Sequence, residues 1–150
     1  MARRYPFVHA SGSPREMGQQ IGEQLREHIP PILDELKMPA DCQKPSQQQG
    51  AEQLLANMRR EAPHLVEEME GIAEGSGIPF DTILLYNAIA EMWRFAGCTD
   101  IGFCDTPDGV LIGKTNDIGE NKAHYHIPHR LLPSKGERML YFTWPGTVWV

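Results

Sequence analysis

Cys98 stands between Gly97 and Thr99, where a helical pattern of apolar residues gives way to an alternating one. A glycine at that point permits backbone geometry that other residues resist, so the peptide before the thiol can be held bent and accessible. A thiol so placed can attack its own preceding carbonyl and exchange the amide between Gly97 and Cys98 for a thioester. Water then releases a new N-terminus. The resulting cysteine carries its own general base: an α-amino group titrates near about 8 and a free thiol near about 8.5, a match suited to proton transfer at neutral pH. The plain alternative is a small thiol packed at the start of a strand.

Downstream, "CTDIGFCDT" alternates, "TPDG" is a turn, and "VLIGKT" alternates again, which predicts a hairpin. A hairpin returns the end of its second strand to the start of its first, so Asp117 is expected beside Cys98 although 19 residues separate them. A carboxylate there would hold the new ammonium. Lys114 on the same strand would favour the thiolate. Asp117 also suits the capping of a loop, since "TND" precedes a glycine. Cys104 in mid-strand and Cys42 in a polar linker have only that plain reading, a small packed thiol. Three cysteines without an export pattern read as reduced thiols in a cytoplasmic protein.

The elements that must carry this seam are helical before Gly97. "GSPREMGQQIGEQLREHI" opens with Ser13 as N-cap, Pro14 in the first turn and Glu16 completing a capping box. Met17, Ile21, Leu25 and Ile29 form one apolar stripe, and Pro30 and Pro31 are expected to kink or end the helix. Gly18 and Gly22, one turn apart, would let another backbone approach closely. Residues 38–50 read as a polar connector. A second helix carries Leu54, Leu55 and Met58, Pro63 restarts it, and Gly75 and Gly77 stop it. A third, capped by Asp81, buries Leu84, Leu85, Ala88, Ile89 and Met92. "RMLYFTWPGTVWV" reads as one or two further strands. The order predicts an α+β protein with helices packed on antiparallel sheet: one domain, residues 1–97 a helical segment and residues 98–150 the start of a β segment.

Three blocks in this order resemble the acyl-coenzyme A:6-aminopenicillanic acid acyltransferase family of self-processing N-terminal-nucleophile hydrolases. They are "GSPREMGQQIGEQLRE", "EEMEGIAEGSGIPFDTILLYNAIAE" and "GCTDIGFCDTPDGVLIGKTND", and they cover most of Gly12 to Asp117. The resemblance implies an αββα layered fold, with Cys98 as the nucleophile freed by cleavage after Gly97. It implies that Asp117 holds the amino group and the activated thiol, and that Asn116 is the polar neighbour of that aspartate. The related bile-salt and penicillin V amidases put arginine where Lys114 stands. Lysine keeps the charge and loses the bidentate fork. Coenzyme A thioesters or N-acyl amines are the implied donors, an amine or water the acceptor, and no cofactor is called for. Relatives of this kind extend further, so the chain is expected to be an N-terminal portion that needs a C-terminal segment for its oxyanion hole. The two cleaved chains are expected to stay associated. The other class consistent with these residues is a catalytically silent interaction module.

Charge narrows the partners. The net charge is -6, with 14 acids against 9 bases over residues 1–97 and 6 against 5 over residues 98–150. That balance argues against nucleic acid or an anionic membrane as partner. His124, His126 and His129 in "HYHIPH" suggest a metal set, yet no carboxylate or cysteine at recognised spacing completes it, so a surface strand or a loop facing substrate is the expectation. Trp93, Trp144 and Trp149 read as core or pocket lining.

Overall fold

The computed structural model describes residues 6–38, 45–92, 98–107, 109–116 and 120–148. Its elements are β1 (Val8–Gly12), α1 (Pro14–Gln24), α2 (Ile29–Glu35), α3 (Pro45–Glu61), α4 (Pro63–Ser76), α5 (Phe80–Met92), β2 (Cys98–Thr106), β3 (Gly109–Asn116), a 3-10 turn (Glu120–Tyr125), β4 (Ile127–Pro133) and β5 (Met139–Thr143). The fold is therefore mixed α+β. No helix among the described residues is long and apolar enough to cross a membrane.

Two sheets result. One has the strand order β1-β4-β5, and the other is the β2-β3 ribbon. β4 pairs antiparallel with β5, and β2 with β3, as the patterns predict. β1, however, runs parallel to β4 with Val8 opposite His129, which corrects the expectation of helix alone before Gly97 and of a purely antiparallel sheet. Parallel pairing requires a long crossover, and here α1 to α5 and the ribbon intervene.

Local chemistry explains the entry into α1. Gly12, at φ 118°, turns the chain out of β1. Glu16 Oε2 then accepts from the Ser13 backbone N–H and hydroxyl, both at 2.8 Å, while the Ser13 side chain accepts from the Glu16 N–H, completing the capping box. Those donors hold the Glu16 carboxyl below its usual range.

The stripe Met17, Ile21, Leu25 and Ile29 is buried throughout, but it spans two helices. Pro30 and Pro31 sit in the first turn of α2 and start that helix instead of ending α1, because the N–H that proline lacks has no helical partner there anyway. The Gln run of residues 47–49 lies inside α3, so the connector is shorter than the composition suggests. Asp81 lies in the first turn of α5, where the Pro79 carbonyl accepts from the Thr82 and Ile83 N–H groups, and it is not the cap.

α1 and α4 meet backbone to backbone. A methyl group on Gly18 would come 2.9 Å from the Glu68 carbonyl carbon and 3.0 Å from the Gly71 Cα; one on Gly71 would come 2.8 Å from the Gln19 nitrogen. A methyl group on Gly22 would come 2.7 Å from the Ser76 nitrogen, and one on Gly75 2.9 Å from the Gln19 carbonyl carbon. Gly75 is thus a packing residue inside α4. Gly77, at φ 78°, is the left-handed stop. At the rim, Arg15 binds Glu70 at 2.9 Å and also Glu74, exposed pairs of small worth.

α5 is buried on every side over Ile83–Ala88, not along a single stripe. Within it Asn87 donates to the Ile83 and Gly146 carbonyls at 2.8 and 3.1 Å and accepts from the Val148 N–H at 2.9 Å. One buried amide thereby fastens the turn after β5 to the helix that leads toward the ribbon.

Candidate functional site

The ribbon register is the geometry that matters most. Cys98 lies directly opposite Asn116, Thr99 opposite Thr115, and Asp100 opposite Lys114. By strand alternation Cys98, Asp100, Lys114 and Asn116 occupy positions on one face of the ribbon. The end of β3 does return to the start of β2. Gly97 and Asp117 lie outside the described residues, so the cleavage peptide and the expected carboxylate are known only as the chain neighbours of Cys98 and Asn116.

Asp100 is the residue the motif reading passed over. It occupies the position across from Lys114, an opposite-charge cross-strand pair of the kind that stabilises ribbons. Counting outward from the "TPDG" turn would set Asp100 opposite Thr115; the irregularity between Phe103 and Thr106 shifts the ladder by one residue and brings it opposite Lys114. Cys104 falls where the ladder is irregular, between Phe103 and Thr106. Cys42 lies outside the described residues.

The three histidines separate. His124 is exposed on the 3-10 turn. His126 Nε2 accepts from the Trp144 indole N–H at 3.2 Å, which places Trp144 in a half-buried aromatic cluster with Tyr125. His129 is on β4, only 1% exposed, with Nδ1 3.0 Å from the Ile127 carbonyl oxygen. A buried strand position corrects the reading of His129 as surface or loop. Burial also lowers its pKa, against the opposing pull of that hydrogen bond. Among the described residues no group of three or more potential ligands could hold a metal ion.

Sequence reasoning also missed Glu68. Its neighbours Glu67, Glu70 and Glu74 make α4 look like a solvated acidic helix, yet Glu68 is 5% exposed, and burial pushes its carboxyl up to about 7. The buried carboxyl in turn raises the pKa of Tyr141 on β5, where desolvation is the larger cause. Tyr141 stacks on His129 with ring centres 5.4 Å apart. Glu68 is thus near enough to Tyr141 of β5 for its charge to be felt there.

This has a measurable consequence for stability. The folded state holds the Glu68 proton more tightly than the unfolded chain, whose carboxyl titrates near the ordinary 4.5. Its contribution is full below that value and is lost as pH rises through 7, a cost of about 3 kcal/mol, because each tenfold gain in proton affinity is worth about 1.4 kcal/mol. His129 acts on the other limb and destabilises the fold as pH falls through 6.5. Glu68→Gln is expected to melt well above the unsubstituted protein at pH 8, with the difference shrinking towards pH 5. A difference independent of pH would show that the Glu68 carboxyl titrates normally.

Two clefts lie elsewhere. One of about 450 Å³ is lined by Glu23, Gln24, Arg26, Glu27 and His28, and one of about 360 Å³ lies between α3 and α5. Neither takes a residue from the ribbon. No model of a known protein family matches the chain, and no curated protein matches it.

Proposed function

We propose that the chain is a self-processing cysteine N-terminal-nucleophile enzyme of the αββα layered type, related to the acyl-coenzyme A:6-aminopenicillanic acid acyltransferases. The observation that carries the reading is the ribbon register, which sets Cys98 opposite Asn116 and one residue from the chain position of Asp117. The three-block resemblance over Gly12 to Asp117 supports it, as does the capping box and glycine contact built from the first two blocks.

The chemistry begins with self-cleavage. The Cys98 sulfur attacks the Gly97 carbonyl, the C–N bond breaks as the nitrogen takes a proton and becomes the free Cys98 amine, and water hydrolyses the thioester to a Gly97 carboxylate and the free Cys98 thiol. In turnover that amine removes the thiol proton, and the sulfur attacks the carbonyl of an acyl-coenzyme A thioester or an N-acyl amine. The departing thiol or amine takes the proton back, leaving an acyl-cysteine. An amine or water then attacks the thioester, giving its proton to the α-amine as the C–S bond breaks. Asp117 would hold the ammonium form. Lys114, opposite Asp100, would share its charge between that carboxylate and the thiolate.

Thiol reactivity tests the assignment. Iodoacetamide at neutral pH is expected to label Cys98 at least about tenfold faster than Cys42 or Cys104, because a thiolate beside an ammonium and a lysine is populated at lower pH. Digestion and mass mapping give the order. Fastest labelling at Cys42, with Cys98 inert, would count against the nucleophile.

A further inference from the structure

The two edges of the three-stranded sheet are treated differently. At β1 the free edge is closed by helix α1: the His9 N–H donates to Gln24 Oε1 at 3.2 Å and Gln24 Nε2 donates to the His9 carbonyl at 2.8 Å. One turn earlier Gln20 does the same for Ser11, accepting at 3.1 Å and donating at 2.8 Å. Two carboxamides stand in for a strand, a covering that natural sheets use against unwanted pairing.

β5 has no such cover among the described residues. Its five residues, "MLYFT", include no charge, proline or glycine, and Leu140 and Phe142 are 69% and 61% exposed. We propose that β5 is a self-association edge, pairing antiparallel with β5 of a second copy about a twofold axis at Tyr141. The self-complementarity is in the sequence. With Tyr141 on the axis, Leu140 of each copy lies opposite Phe142 of the other, so the two exposed apolar positions make two aliphatic–aromatic cross-strand pairs. Met139 lies opposite Thr143, and no charge opposes a like charge within the strand. The product is a six-stranded sheet whose outer edges are the two glutamine-closed β1 strands, so association stops at two.

A five-residue edge with a small apolar patch belongs to the weak interfaces. Sedimentation under reducing conditions, from about 5 µM to about 500 µM, is expected to run from monomer to dimer and no further. Phe142→Lys and Leu140→Lys replace exposed side chains, so circular dichroism should show both folded, and each is expected to weaken the dimer at least about tenfold. Ile101→Lys, an exposed position on the separate ribbon, should leave it unchanged. Hydrogen exchange at residues 139–143 should slow with concentration in the unsubstituted protein only. A monomer at every concentration, a dimer indifferent to Phe142→Lys, or growth beyond two copies would overturn the proposal. So would β5 amides already protected in dilute monomer, because the edge would then be filled from within the chain.

Discussion

A methyl group at Gly71 is expected to cost at least about 3 kcal/mol of stability, since overpacking against rigid surroundings reaches and exceeds that range. The site cannot relax by moving a side chain. The added carbon meets the Arg15 carbonyl and comes 2.8 Å from the Gln19 nitrogen and 3.0 Å from the Gly18 carbonyl carbon, all backbone atoms of α1. Gly18 faces α4 in the same way, so Gly18→Ala should be comparably severe, and the double variant should show no cooperative unfolding, given the roughly 5–15 kcal/mol typical of domains. Gly50 is the control: it lies inside α3 with no atom within 4 Å of a built Cβ. Gly50→Ala should stabilise by about 0.5–1 kcal/mol through helix propensity. Urea unfolding followed by circular dichroism reads all four. A Gly71→Ala midpoint equal to that of the unsubstituted protein would mean that α1 and α4 do not touch backbone to backbone.

Cys98→Ala should remove acyl transfer onto the protein altogether. Supplied with the C-terminal segment it is expected to need and offered an activated acyl thioester, the unsubstituted protein is expected to gain one acyl group, mapped to Cys98 and labile to hydroxylamine. Loss of the attacking atom itself typically costs on the order of 10³-fold or more, so the alanine variant should show no adduct on the same time scale. Cys42→Ala and Cys104→Ala should acylate at rates within about twofold of the unsubstituted chain and alter stability modestly at most. An adduct that survives Cys98→Ala would place the reactive thiol elsewhere.

The parts of the fold that could be read from the sequence are those whose physics is local. The capping box is settled by four consecutive residues, Ser13 to Glu16, and the ribbon by a change of period and a "TPDG" turn; both are in the structure. The close approach at Gly18 and Gly22 was legible as a possibility, but its partner was not, because Gly71 and Gly75 lie some 50 residues away. β1 was missed for the same reason. "VHASG" has one β-branched residue and three small ones, and it becomes a strand only because β4 offers a ladder to Val8 and Ala10.

Pro30 and Pro31 show a different failure. The same residue ends one helix or starts the next, and which happens depends on where the preceding helix has already stopped. Burial of single polar residues was the least legible feature. Glu68 and His129 have no local mark, and only tertiary packing removes them from water. The cysteine face lies between these cases: Cys98, Asn116 and Lys114 were named from the motif, and the ladder adds Asp100 across from Lys114.

The central claim is that Cys98 becomes an N-terminus by its own attack, and the intact mass of the purified protein tests it most directly. The predicted result is two co-purifying pieces whose masses sum to that of the chain plus one water, the second beginning at Cys98, with Cys98→Ala remaining whole in a parallel preparation. A single uncleaved mass after days at neutral pH, or cleavage that proceeds unchanged in Cys98→Ala, would contradict it.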